Sequence, residues 1–243
     1  MNTDASTFDT IVNARRSIRK FDKAEAVPDE VIRRSLERAI LSPNSSNMQL
    51  WEFLWVRSAE VRSGMVPICM GQNAAKSASH LVVFLTRRGK WKRIADWNLR
   101  NALEDLDPSK DEKRIRLAKR YYGTLMPLFY RSDPFGLSWL ARVVASFFGG
   151  LKKPFLRFGG VADQRVVLHK SCALAAQTFM LSVTAEGYDS CPMEGFDRIR
   201  LRRFLKLPND AEVCMIVAVG KGTPEGIYGQ RRRLPFEDVV KVL

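Results

Sequence analysis

The chain has 243 residues, of which 46% are hydrophobic, 27% charged and 10% aromatic, the proportions of one full-sized globular domain and not of a disordered chain. Without an unbroken apolar run of spanning length, the sequence excludes a membrane span, and residues 1–8 lack the basic-then-apolar pattern of a secretory leader. Four cysteines without a CxxC pair and two histidines argue against a disulfide scaffold or a zinc site and for a reducing cytosol, while the net charge of +14 points to an anionic partner: nucleic acid, membrane surface or phosphorylated ligand.

Residues 6–16 read as a short helix with Ser6 as its N-cap and Phe8, Ile11 and Val12 on one face. A basic cluster, Arg15-Arg16-Ser17-Ile18-Arg19, follows. Pro28, Asp29 and Glu30 open a second helix that suits the dipole, with Ile32, Leu36, Ala39 and Ile40 at helical spacing and Pro43 ending it. Residues 42–49 form a polar loop, and residues 52–56 a strand. The run at 81–85, short, apolar and rich in Val and Leu, reads better as a buried strand than as a helix.

From 87 to 165 there are 18 Lys/Arg against 8 Asp/Glu, 18 − 8 = +10 of the total charge. This stretch reads as helical pieces near 97–122, then a basic, aromatic segment at 125–158 that includes Trp139, Phe147, Phe148, Phe155 and Phe158 with Arg142, Lys152, Lys153 and Arg157. Such a segment fits a lid over a site mouth, or a membrane surface. Residues 163–186 form a helix apolar on nearly every side between Cys172 and Ala185, which demands cover all round: a central helix or a subunit interface. Gly187 stops it, a short helix follows at 197–205, and residues 212–219 form a strand. Few strands among many helices indicate an α+β fold of one domain, residues 1–243, with a basic helical excursion at about 87–162.

Three patches suit one planar, phosphorylated ligand. Arginine forks at 15, 16 and 19, with Ser17, match phosphate oxygens, although a solvated basic turn looks the same. The amides and hydroxyls of residues 43–49 match a heteroaromatic edge or simply one another. Arg231-Arg232-Arg233 either joins the first patch or is an unbound basic tail. His80 and His169 read as structural, and Cys172 and Cys191 as small buried hydrophobes.

Arg15 to Phe21, Pro43-Asn44-Ser45-Ser46-Asn47-Met48-Gln49-Leu50-Trp51-Glu52-Phe53, Cys191 to Asp197, Leu205-Lys206-Leu207-Pro208 through Gly220, and Arg231 to Pro235 together resemble the FMN-dependent nitroreductase family, in that family's order. The likeness covers about 8–86 and 163–240, and departs from the family where Leu50 replaces a usual proline. It implies a central mixed, mainly antiparallel sheet flanked by helices, with a buried central helix at the interface of a homodimer. It implies FMN as cofactor, with Arg15, Arg16, Ser17 and Arg19 at its phosphate, ribityl chain and pyrimidine edge, and Arg231 and Arg233 at the phosphate. Pro43, Asn44, Ser45, Asn47 and Gln49 would reach the flavin of the partner subunit. Pro192, Met193, Glu194 and Gly195 would lie over its face, and Gln72 and Asn73 are the nearest candidates for a further polar pair. Tyr121, Tyr122, Phe129 or Tyr130 would line the substrate channel.

The implied reaction is ping-pong: NAD(P)H delivers hydride to flavin N5, then a nitroaromatic or quinone is reduced on the same face, with no catalytic side chain required. Rival readings keep the fold but change the reaction to dehalogenation or flavin fragmentation, or make the chain a basic nucleic-acid or membrane-binding protein without catalysis.

Overall fold

The computed structural model describes residues 3–131, 136–154 and 160–243. Phe155, Arg157 and Phe158 of the aromatic segment lie outside the described residues. In chain order the elements are α1 (Thr3–Ala14), β1 (Phe21–Asp22), α2 (Asp29–Ala39), β2 (Trp51–Val56), α3 (Ala59–Ile68), α4 (Asn73–Ser77), β3 (His80–Arg87), α5 (Trp91–Glu104), α6 (Glu112–Arg120), α7 (Met126–Tyr130), α8 (Leu137–Lys152), α9 (Val161–Ala185), β4 (Asp189–Met193), α10 (Arg198–Phe204), β5 (Ala211–Gly222) and α11 (Phe236–Val239).

The five strands form one sheet in the order β1-β5-β3-β2, with β4 also on β5, and every named pair is antiparallel. The parallel component is an isolated bridge between Ser17 and Ser190. The β3–β5 register slips between Phe84 and Leu85, leaving Cys214 as the extra residue of a bulge. Every residue from His80 to Thr86 is buried because helices cover both faces of the sheet. On one face Leu81, Val83, Ile216 and Ala218 pack with Met65, Ile68 and Leu201 of α3 and α10. On the other, Val82, Phe84 and Val217 pack with Ile32 of α2 and Cys172, Ala176 and Phe179 of α9. Glu186 at the foot of α9 takes salt bridges from Arg34 and Arg38 at 2.6 and 2.7 Å, fixing α2 against it.

Several boundaries differ from the sequence reading. The first helix starts at Thr3, so Ser6 is not its cap; its hydroxyl donates to the Thr3 carbonyl instead. Phe8 and Val12 remain exposed, because α1 buries none of its residues within the chain. The second helix stops at Ala39 and leaves Ile40 half exposed. Helices α3 and α4 carry no strong apolar period and were not expected. By length and composition α9 qualifies as a membrane span, contrary to the sequence-based exclusion; its burial against the sheet and α2 accounts for its apolarity as that of a core helix. Its Leu174 is nonetheless 48% exposed.

Helices α5 to α8 form the excursion. A π turn at Tyr121–Leu125 joins α6 to α7. A third cluster, Met48, Leu50, Ala95, Met126, Tyr130 and Leu168, fastens the excursion to the 42–49 loop and to α9.

Candidate active site

The two ends of the chain meet. The Arg19 amide donates to the Gly226 carbonyl at 2.9 Å, and the Thr223 amide to the Lys20 carbonyl at 3.1 Å. A Cβ on Gly226 would stand 2.6 Å from the Lys20 carbonyl oxygen, so only glycine permits this approach. Arg231 then reaches back, its Nη2 donating to the carbonyls of Asn13 (3.0 Å) and Arg15 (2.5 Å), while Arg16 Nη2 donates to Gly229 O at 2.6 Å.

Around these links lies an open cleft of about 330 Å³, lined by Arg15, Arg16, Ser17, Arg19 and by residues 228–233, with no carboxylate in its lining. Arg19 lies over the Tyr228 ring, 5.0 Å from its centroid. The Arg15 guanidinium is held below its ordinary pKa by burial first, then by the like charges of Arg231, Arg233 and Arg16. Cations that share one cleft, whose lining among the described residues holds no carboxylate, repel one another, and an anion in the cleft relieves them.

Two further segments join this cleft. Asn73 Nδ2 donates to the Tyr228 hydroxyl at 3.2 Å, and Gln72 Nε2 donates to Gly195 O at 2.6 Å. Both come from the start of α4, so Gln72 and Asn73 tie residues 194–195 to the arginine cleft. Glu194 and Gly195 are exposed, immediately after β4. The Met193 side chain is 2% exposed and packs in the core beneath the sheet, because alternation along β4 turns it inward. Pro192 is half-buried. Cys191 is buried, and burial pushes its thiol up, away from redox chemistry.

The 42–49 loop lies apart. Its hydrogen-bond partners and neighbouring cavities share no residue with the arginine cleft. Ser46, Asn47 and Gln49 adopt positive φ (57°, 51° and 45°), conformations that side chains hold only when the surroundings enforce them. The enforcement is visible. Asn44 Oδ1 accepts from the Gln49 amide at 2.8 Å, and the Ser45 amide donates to Ser171 Oγ on α9 at 3.3 Å. Asn98 on α5 exchanges two bonds with Asn47, at 3.0 and 2.8 Å. The Tyr121 hydroxyl meets Ser46 Oγ at 2.7 Å, and the Tyr122 hydroxyl donates to Ser46 O at 3.3 Å. Pro43 is exposed at the start of the loop. Tyr121, Phe129 and Tyr130 line a cavity of about 370 Å³ beside Ser45 and Ser46, whereas Tyr122 braces the loop instead.

The nitroreductase family profile matches residues 12–221. DrgA of Synechocystis is 33% identical over 227 residues, covering 93% of this chain and 88% of that protein. The chain belongs to the nitroreductase family. It is therefore an NAD(P)H-dependent oxidoreductase. MhqN of Bacillus subtilis, named as an NAD(P)H nitroreductase, is 24% identical over 97% of this chain and 98% of its own. Solved structures share the nitroreductase fold. A Staphylococcus epidermidis protein named as an NAD(P)H:FMN oxidoreductase superposes with a TM-score of 0.74 at 19% identity, over 97% of this chain and 95% of that one. An Exiguobacterium sibiricum nitroreductase crystallised with FMN gives 0.66 at 22% identity, over 97% of both chains.

The donor set of the arginine cleft fits a flavin phosphate: several guanidinium groups, a serine hydroxyl and no competing carboxylate. Tyr228, Gly226, Asn98 and Ser171 escaped the sequence reading. The glycine-punctuated stretch Gly222 to Gly229, just ahead of three arginines, was the available signal of a close backbone approach. Asn98 and Ser171 lie on helices without any local pattern that marks them.

Proposed function

We propose that the protein is an FMN-dependent NAD(P)H oxidoreductase that works as a cytosolic homodimer and reduces flat, electron-poor acceptors such as nitroaromatics or quinones. The observation that carries this reading is the meeting of Arg15, Arg16 and Arg19 with Arg231, Arg232 and Arg233 around one cleft without a carboxylate.

In this reading Arg15, Arg231 and Arg233 grip the phosphate and Arg16, Ser17 and Arg19 the ribityl chain and pyrimidine edge. Bound FMN supplies hydride chemistry at its N5. Gln72 holds the 194–195 turn by its carbonyl, which leaves the amides of Glu194 and Gly195 free to approach the ring. Glu194 and Gly195, exposed just after β4, would border the space that nicotinamide and acceptor would share. Asn73 positions Tyr228 and, through it, Arg19.

Two features support the dimer. The Pro43, Asn44, Ser45, Asn47 and Gln49 loop is rigid yet separate from its own chain's arginine cleft, so it serves a cleft on a second copy. Phe8 and Val12 of α1 and Leu234, Phe236 and Val239 of the C-terminal stretch are exposed in the single chain, and a second copy covers them. The test is optical. Purified protein is expected to show a flavin absorbance band that NADH or NADPH bleaches and a quinone restores. Colourless protein that cannot be reconstituted with FMN would refute the proposal.

A further inference from the structure

Four side chains that the flavin reading does not use meet where α9 packs on the bulge of β5. The slip between Phe84 and Leu85 sets Cys214 apart as the unpaired residue of that bulge. Its Sγ donates to the His169 carbonyl on α9 at 3.8 Å. Cys172 Sγ, about one turn further along α9, donates to the Leu85 carbonyl at 3.6 Å. Both sulfurs are thus held at the same break in the β3–β5 ladder, and the two thiols are also hydrogen-bond partners of each other. The His169 side chain bonds Cys214 as well, and its Nε2 lies 3.3 Å from Glu212 Oε2.

The two thiols sit in the unlike surroundings that an attacking and a resolving sulfur require. Cys172 is wholly buried, and its bond to Cys214, then burial, push its thiol up. Cys214 is half-buried; the bond from Cys172, then that from His169, hold its thiol below the ordinary value against the opposing effect of burial. His169 is raised in its turn by Cys214 and then Glu212, so a cationic imidazole stands beside an anionic sulfur. The His169 side chain is 31% exposed, which brings the edge of the pair within reach of a small solute. Cys69 and Cys191 are buried and carry no such partners; burial pushes both thiols up, Cys69 to about 11.

We propose that Cys214 and Cys172 form an oxidisable dithiol that hydrogen peroxide closes into an intrachain disulfide. The Cys214 sulfur attacks one peroxide oxygen, the O–O bond breaks, and the second oxygen leaves and is protonated to water. Sulfur is oxidised by two electrons to the sulfenic acid. The Cys172 sulfur then attacks Cys214, the S–O bond breaks, and the departing oxygen takes the Cys172 proton as a second water. Two thiols and one peroxide become one disulfide and two waters. Glu212 and His169 hold the first sulfur ionised and are positioning residues.

The experiment treats the pre-reduced, full-length protein, with whatever flavin it holds, with a slight excess of hydrogen peroxide and no NAD(P)H. The intact mass should fall by two hydrogens and return with dithiothreitol. Fragmentation of the linked tryptic peptides should join Cys172 to Cys214 and leave Cys69 and Cys191 open to alkylation. Cys172→Ser should stop at a Cys214 sulfenic acid that dimedone traps, and Cys214→Ser should slow thiol oxidation on the order of tenfold or more. Absence of the link, a link through Cys69 or Cys191, or a link between two chains overturns the proposal. So does oxidation of Cys214→Ser at the wild-type rate. Mapping the wild-type protein requires no substitution, so a variant that fails to fold leaves the test intact. Colourless protein that still forms the link would refute the flavin reading alone.

Discussion

The arginine cleft and the 42–49 loop are both polar, but they are built on opposite principles. In the cleft, charged donors converge from the two ends of the chain and lower the Arg15 pKa by burial and mutual repulsion. In the loop almost every polar group already has a partner, and three residues are held at positive φ. The first is an electrostatic tension that a ligand releases; the second is a strained surface fixed in advance of any ligand. A binding site thus divides its labour between a part that supplies affinity and a part that supplies shape.

The sharpest break of this comparison is Arg231→Ala. It removes a cation from the cleft and also the two bonds to Asn13 and Arg15 that join the chain ends. Loss of charge-assisted contacts of this kind costs about 1.5–3 kcal/mol, so FMN affinity measured by flavin fluorescence should fall by on the order of 10- to 100-fold. Unchanged affinity would remove Arg231 from the phosphate site.

Asn98→Ala acts on the other region. Asn98 is buried and makes both bonds to Asn47, so stability should drop by about 1–3 kcal/mol in denaturant titration. Turnover should fall while FMN affinity changes less than in Arg231→Ala. Equal loss of FMN in both variants would erase the distinction between the two regions.

Glu186→Gln is smaller and tests the scaffold beneath the loop. Hydrogen bonding and charge from Arg34, then Arg38, hold the Glu186 carboxyl below its ordinary value of 4.5. Its folded form binds the proton more weakly than the unfolded chain does. The stabilisation is therefore complete above pH 4.5 and disappears as pH falls through the lower folded value. With both arginines partly exposed, the loss at neutral pH is about 1 kcal/mol, a melting shift of roughly 2–4 °C. The difference between variant and wild type should vanish in acid, and a difference that persists there would refute the ion-pair account.

The smallest expected effect is Gly195→Ala. Its Cβ would stand 3.2 Å from Gln72 Nε2, a contact that a small side-chain shift relieves. The melting temperature should change by less than about 2 °C, and FMN affinity only a few-fold. No change in FMN affinity would detach the 194–195 turn from the flavin.

The central strands and the α9 helix were legible because burial on both faces leaves an unbroken apolar signal, as at Leu81 to Leu85 and Cys172 to Val183. Helices α3 and α4 were not, since Ala59 to Ser77 mixes small, polar and apolar residues without a clear period. The two arginine patches were legible as phosphate ligands, but their pairing rested on resemblance, because nothing in the spacing of Arg15 and Arg231 says that their segments meet; that depends on Gly226 and backbone bonds to Arg19 and Lys20. The burial of the Met193 side chain was not legible, because a motif position does not reveal which way a side chain turns. Asn98 was invisible, being one polar residue on an amphipathic helix whose partner lies in a distant loop.

The most direct test of the whole account compares FMN with riboflavin, which differ by the phosphate alone. Titrated into the apoprotein, FMN should bind on the order of 100-fold or more tightly than riboflavin, with the gap shrinking as salt rises. Equal affinities for the two flavins would mean that the arginines at the two ends of the chain do not converge on a phosphate.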